Sequence, residues 1–147
     1  MKRAAQHLEL WGVQNQFQLV MRLQLVRRLV HDVVTIDYSA ELLRRHMGAI
    51  LIAIQGLTGA ARTAGLSGFT SVCLLLCKRV EPSMRGGYLP NTLLTEWAAI
   101  AELYLRRPHH REFARALVAQ LNDPQWHSPL DSAEQECLLR SLLGPSG

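Results

Sequence analysis

The spacing of apolar residues near the start of the chain restricts the fold most strongly. Leucine and valine recur there in alternating steps of four and three residues, at Leu19, Leu23, Val26, Val30 and Val33. This spacing keeps the side chains on one face of an α-helix, whereas a half-buried β-strand would show a repeat of two. The pattern therefore predicts one long amphipathic helix over residues 1–36. Leu10, Val13 and Phe17 add a second apolar stripe on a slightly rotated face.

Capping residues and helix breakers divide the rest of the chain into five further helices. We expect them over residues 40–64, 67–80, 92–106 and 108–121, with a last one ending at Leu143. Asp37 or Ser39 is expected to cap the N-terminus of the second helix, and Gly65 is expected to follow that helix as its C-terminal cap. Ser67 is expected to cap the N-terminus of the third helix. Two overlapping capping boxes are predicted at the start of the last helix, Asp131 with Glu134 and Ser132 with Gln135. The clearest predicted loop lies at residues 81–87.

No segment shows the alternation of a strand, so the predicted fold class is all-α. Leucine and alanine, both strong helix formers, supply much of the apolar content. Short loops favour antiparallel neighbours, which gives a four-helix-type bundle with additional helices. Residues 1–147 form a single helical domain in this prediction: a long N-terminal helix (1–36), a helical hairpin (37–81) and the remaining helices (91–143). Trp97 and Trp126 are expected to pack into the bundle.

Composition excludes several classes of protein. With 48% hydrophobic and 19% charged residues, the chain is too apolar to be disordered. No apolar stretch approaches the roughly 20 residues that a bilayer requires, so we expect a cytoplasmic protein without membrane insertion. Three cysteines, an odd number in helical contexts, indicate core thiols in a reducing compartment. Cys73 and Cys77 lack a second pair for zinc, and we expect neither a metal ion nor a cofactor.

The second helix contains three glycines, although each costs about 1 kcal/mol relative to alanine in a helix interior. At about 100° per residue, one narrow arc of this helix holds small and polar residues, with Thr58 at its edge; its members are Gly48, Leu51, Gln55, Gly59 and Arg62. The opposite arc is a plausible core face, made of His46, Ile50, Ala53, Leu57, Ala61 and Ala64. The glycine arc suits close approach by another chain or by a neighbouring helix of the same domain.

Residues 55–66, QGLTGAARTAGL, resemble the phosphoacceptor helix of histidine phosphotransfer (HPt) domains. The family pattern reads His-x-x-Lys-Gly-x-Ala-Arg-x-x-Gly followed by an apolar residue. Gly59, the pair Ala61-Arg62 and the pair Gly65-Leu66 match it. The Ala-Arg variant is typical of the large chemotaxis-like hybrid kinases that govern type IV pili and twitching motility. The resemblance makes residues 37–81 an HPt-like hairpin and covers about 45 residues.

The two residues that perform the family's chemistry are replaced in this chain. Gln55 stands at the position of the phosphorylated histidine, and Thr58 at that of the lysine. An amide nitrogen has a delocalised lone pair and cannot attack an aspartyl phosphate as an imidazole does. Thr58 carries no positive charge for the phosphoryl oxygens. The resemblance therefore implies a degenerate, non-catalytic HPt-like module, with Gly48, Leu51, Gln55, Thr58, Gly59 and Arg62 as its partner-binding residues.

The implied partner is a protein, either a response-regulator receiver or another signalling or scaffold subunit. A phosphotransfer domain with Thr58 as a displaced acceptor is one alternative. His46 is an inferior candidate acceptor, because it lies about 180° around the helix from Gln55, on the core side. The two apolar faces of the N-terminal helix also suit a homo-oligomer, or a structural piece of a larger protein.

A small helical nucleic-acid-binding protein is the other alternative. It would use the basic cluster from Arg106 to Arg115, on a chain whose formal net charge is +4. Such an interface usually interleaves aromatic residues or belongs to a helix-turn-helix, whereas only Tyr104 lies near this cluster. We therefore interpret the cluster as a solvated turn and do not expect a nucleic-acid partner.

Overall fold

The computed structural model describes the backbone of residues 2–35 and 40–144, and the side chains of 14–33 and 41–144. Six α-helices follow in order, with a 3-10 turn at Pro124–Trp126; they are α1 Lys2–Thr35, α2 Ala40–Thr63, α3 Ser67–Arg85, α4 Asn91–Arg106, α5 Arg111–Leu121 and α6 Ser132–Leu143. No strand occurs in these described ranges, which confirms the predicted all-α class. The predicted cap at Asp37 or Ser39 lies outside them.

Helix α1 lies antiparallel between α2 and α4, and α2 packs on α3. The end of α1 meets the start of α2, where the His46 ring Nε2 lies 2.6 Å from the Leu29 carbonyl oxygen. The start of α1 meets the end of α4, where the Gln16 side-chain amide donates to the Leu105 carbonyl at 2.8 Å. Helix α6 packs on α3, α5 packs on α4, and α5 and α6 pack on each other. The predicted bundle with additional helices is confirmed.

The apolar stripe of α1 faces the bundle interior as the spacing predicts. Leu19, Leu23, Val26 and Val30 are buried, and Val33 is partly buried against the same core. Beside this stripe, the Glu102 carboxylate of α4 accepts from the Gln24 amide at 2.5 Å and from Arg27 at 3.0 Å. These polar contacts fix the register of α1 against α4. Leu10 and Val13 belong to the part of α1 whose side chains the structure does not describe.

An aromatic cluster fills the centre of the bundle. The Phe69 ring of α3 stacks on Trp97 and Tyr104 of α4, with centroid separations of 6.2 and 5.8 Å. All three side chains are buried, so the core position predicted for Trp97 is confirmed. The Tyr104 hydroxyl donates to the Leu142 carbonyl at 2.6 Å, which connects this centre to the end of α6.

A buried arginine holds the connection between α5 and α6 against α3. Arg79 donates from Nε to the Leu121 carbonyl at 3.1 Å and from Nη2 to the Ser128 carbonyl at 2.5 Å. Burial lowers the pKa of this guanidinium below its ordinary value. Trp126 is buried on the same connection, as predicted, and its indole N–H donates to Gln120 at 3.4 Å.

Several predicted helix boundaries are wrong for identifiable reasons. Helix α3 continues through Pro82 to Arg85, so the predicted loop at 81–87 is mostly helical. The fifth helix begins at Arg111 instead of Pro108, because His109 adopts a left-handed conformation (φ 72°) that interrupts the chain. Ser67 does not cap α3: Leu66 occupies the cap position and no side chain caps this helix. Gly65, with φ 79°, ends α2 as predicted.

The cysteines divide into buried and exposed positions. Cys73 is buried and Cys77 partly buried on α3, whereas Cys137 is exposed on α6. The prediction that all three thiols are core residues is therefore wrong for Cys137. Its neighbour Leu138 takes the buried position on that helix.

Candidate docking face on the second helix

The outer face of α2 presents four of the six residues predicted to bind a partner. Gly48, Gln55, Gly59 and Arg62 are exposed, and Leu51 is partly buried. A Cβ atom added at Gly48 or Gly59 would meet nothing within 4 Å. Gln55 is thus exposed on a helix surface and bordered by two glycines that no element of the described fold covers.

Thr58 does not belong to this face, which corrects the predicted set. The residue is only 6% exposed, and its hydroxyl donates to the Ile54 carbonyl of its own helix at 2.8 Å. The thiol of Cys73 on α3 lies beside the Thr58 hydroxyl. The cause is packing: Thr58 lies at the edge of the arc, and α3 covers that edge. A buried hydroxyl with these partners is not accessible to a phosphoryl donor, which argues against Thr58 as a displaced acceptor.

Gly56 serves a different purpose from the other two glycines of α2. A Cβ at this position would lie 3.3 Å from Nη1 of Arg22 on α1. Asn15, Gln18 and Arg22 of α1 and Gly56 and Gly59 of α2 line a groove of about 520 Å³ between the two helices. Gly56 therefore belongs to the packing of α1 on α2, whereas Gly48 and Gly59 leave the helix surface open.

Ile52 is a surface residue that the sequence interpretation missed. It is 69% exposed on α2, one turn after Gly48 and one turn before Gln55. Residues three and four apart are neighbours on a helix surface, so the isoleucine stands between the two. The two arcs predicted from the sequence do not include Ile52, although its position in the helical projection lies next to Gly48. We define the α2 face as Gly48, Ile52, Gln55, Gly59 and Arg62.

Arginines at the ends and side of the α2 face, Arg62 among them, give it a positive rim. Arg44 and Arg62 are exposed on α2 itself, and Arg22 is exposed on the adjacent turn of α1. Arg45 is paired with Glu41 at 3.1 Å and contributes less positive potential. The face therefore combines an exposed isoleucine and an uncharged centre with cationic edges.

The remaining histidine candidate on α2 has a structural role. His46 is partly buried and its ring Nε2 lies 2.6 Å from the Leu29 carbonyl, which agrees with the prediction that it lies on the core side. It is on the opposite side of the helix from Gln55 and is not part of the α2 face.

The basic cluster around the α4–α5 corner is divided among several structural contacts. Arg106 lies 3.5 Å from Glu102, and the His109 ring Nδ1 lies 3.1 Å from the Leu142 carbonyl. His110 stacks on Phe113 at 4.5 Å. Arg111 and Arg115 remain exposed on α5. Arg106, His109 and His110 of this cluster therefore make contacts within the fold at the α4–α5 corner.

Comparisons of the chain with protein-family models, curated proteins and solved structures found no match. Within the residues that the structure describes, no group of three or more histidine, cysteine, aspartate or glutamate side chains could hold a metal ion. No described helix has both the length and the apolar character needed to cross a membrane. The geometry of the α2 face is therefore the principal guide to function.

Proposed function

We propose that this protein is a non-catalytic, HPt-like docking module of a bacterial chemotaxis-like two-component system, of the kind that controls type IV pili and twitching. The observation that carries the proposal is the exposure of Gln55 on the α2 face, between the uncovered Gly48 and Gly59. The sequence of α2 resembles the family's phosphoacceptor helix at Gly59 and Arg62, while the acceptor histidine and the lysine are replaced by Gln55 and Thr58. The module would bind its partner there and transfer no phosphoryl group.

The chemistry of the α2 face supports binding without transfer. Gln55 has no nucleophilic nitrogen, and the hydroxyl of Thr58, one turn along the helix, is buried and hydrogen-bonded to Ile54. Arg22 and Arg62 supply positive charge beside Gln55, but charge without a nucleophile favours association over reaction. Gln55 is also uncharged, so it presents a permanently unphosphorylated surface.

The composition of the face indicates the kind of partner. Ile52 can enter an apolar pocket on the partner, while the arginine rim favours a partner with acidic residues around that pocket. A response-regulator receiver is the preferred partner, and a scaffold or signalling subunit with the same acidic surface is the second. Because exposed ion pairs are screened by salt, binding should weaken between low and physiological ionic strength.

Labelled phosphate tests the non-catalytic part of the proposal. A receiver domain charged with radiolabelled acetyl phosphate is mixed with the chain, and label on each protein is followed on a gel. We expect label on the receiver alone. A Gln55→His variant serves as the comparison, because it restores an imidazole at the same exposed position. Stable label on the unmodified chain would contradict the proposal, whatever the variant does.

A further inference from the structure

A groove of about 880 Å³ lies between the second half of α1 and the first half of α4. Small-molecule sites in proteins typically have volumes of about 300–1,000 Å³, so the groove has the size of a ligand site. No residue of the α2 face lines it. We call it the α1–α4 groove; Arg28 lies on its α1 wall, and Thr92, Thr95, Glu96 and Ala99 lie on its α4 wall.

Short side chains on α4 leave the groove open. Thr92, Thr95 and Ala99 follow one another in steps of three and four residues, so they lie on one face of the helix. None of the three is long enough to fill the space in front of α1. Val30 of α1 and Leu94 of α4 are buried and also line the groove, which gives it an apolar floor.

The two threonines of the groove differ from other helical threonines of this chain. The hydroxyls of Thr58, Thr63 and Thr70 each donate to the backbone carbonyl four residues earlier, at 2.8, 3.0 and 2.9 Å. No hydrogen bond joins the hydroxyl of Thr92 or Thr95 to another residue that the structure describes. Both hydroxyls are therefore available to a molecule in the groove.

Two opposite charges line the groove without neutralising each other. Arg28 of α1 and Glu96 of α4 are both exposed. Within the described part of the chain, neither residue takes part in an ion pair. Arg27, by contrast, is paired with Glu102 at 3.0 Å; His31 also lines the groove. The two walls thus present one unpaired cation and one unpaired anion to the same space.

We propose that the α1–α4 groove binds a small zwitterion with an apolar side group, of the class of the apolar α-amino acids. The carboxylate of the ligand pairs with Arg28 and its ammonium group with Glu96, while the apolar group packs on Val30 and Leu94. An ion of one sign would be attracted by one wall and repelled by the other. The proposal does not rest on docking through the α2 face, so ligand binding and docking succeed or fail independently.

Three probes that share one carbon skeleton test the two charges separately. The amino acid phenylalanine carries both charges, 3-phenylpropanoate lacks the ammonium group, and phenethylamine lacks the carboxylate. Nuclear magnetic resonance titration of the ¹⁵N-labelled full chain measures each affinity. We expect a Kd on the order of 1 mM for phenylalanine and affinities at least about twofold lower for the other two probes. A probe of one charge that binds as tightly as phenylalanine, or no binding of phenylalanine up to about 20 mM, would overturn the proposal.

Substitutions on the two walls test the roles of the charged residues. Arg28→Gln should weaken phenylalanine and 3-phenylpropanoate by about two- to fivefold and leave phenethylamine at least as tightly bound. Glu96→Gln should weaken phenylalanine and phenethylamine and leave 3-phenylpropanoate at least as tightly bound. Arg111→Gln is the matched control, because it removes the same charge from an exposed position of α5, and it should change none of the affinities. Equal effects of Arg28→Gln and Arg111→Gln would show attraction to the overall charge and contradict a site in the groove.

Discussion

At Gly68 the backbones of α3 and α6 come so close that only a hydrogen atom fits between them. A Cβ atom there would lie 2.5 Å from the carbonyl carbon and oxygen of Ser141. Gly48 on α2 is the opposite case, with nothing within 4 Å of an added Cβ. The sequence alone did not distinguish these two glycines, because both lie in helical patterns.

Alanine substitutions at the two glycines should therefore have opposite effects on stability. Gly68→Ala forces α6 away from α3 and should lower the free energy of unfolding by about 1–3 kcal/mol. Gly48→Ala should raise it by up to about 1 kcal/mol through helix propensity alone. Urea denaturation of both variants is the measurement. Equal stability of the two variants would show that the close contact at Ser141 is absent.

Thr58 shows why a helical projection does not settle the composition of a site. The projection placed this residue at the edge of the exposed arc and assigned Ile52 to neither arc. In the structure Thr58 is buried and hydrogen-bonds to Ile54, whereas Ile52 is exposed on the outer face. Which edge of a helix a neighbour covers depends on tertiary packing, and a single sequence does not encode that in its periodicity.

At the scale of elements, the existence of all six helices was predictable, because their apolar residues recur at helical spacing. The ends of the helices were less predictable, because local backbone geometry determines where α3 ends and where α5 begins. Pro82 lies inside α3, where its missing N–H would normally favour a helix end. The left-handed conformation of His109 is unusual for a residue other than glycine, and no residue pattern indicated it.

The start of α6 offers a test of capping. Asp131 accepts from the Glu134 N–H at 2.7 Å and the Glu134 carboxylate accepts from the Asp131 N–H at 3.2 Å. This confirms one of the two predicted capping boxes. The second box is wrong, because Gln135 donates its amide to the Leu130 carbonyl and does not pair with Ser132.

Replacing the capping residue Asp131 should lower the free energy of unfolding more than replacing its neighbour Ser132. Asp131→Ala should destabilise the protein by about 1 kcal/mol, with a range of 0.5–2. Ser132→Ala, one residue later and exposed, should change stability by less than about 0.5 kcal/mol. Thermal unfolding followed by circular dichroism compares the two. If Ser132→Ala lost more stability than Asp131→Ala, Ser132 and not Asp131 would be the cap of α6.

At the scale of the whole molecule, the order of packing follows from the antiparallel connections. The up-and-down course of α1 to α4 was predictable from their short loops, whereas the position of α5 and α6 was not. That position depends on contacts between residues distant in sequence, such as Arg79 with Ser128 and Tyr104 with Leu142. The resulting bundle leaves the outer face of α2 uncovered, and the proposed function depends on this openness.

The affinity of a receiver domain for variants of the α2 face tests that function most directly. Isothermal titration calorimetry would compare the unmodified chain with Gly59→Arg, which fills the open surface beside Gln55, and with Ala133→Arg, an equally cationic change at an exposed position of α6. We predict at least a tenfold loss of affinity for Gly59→Arg, worth about 1.4 kcal/mol, with unchanged helicity. Ala133→Arg should bind like the unmodified chain. Equal affinity of all three proteins would contradict docking through the α2 face.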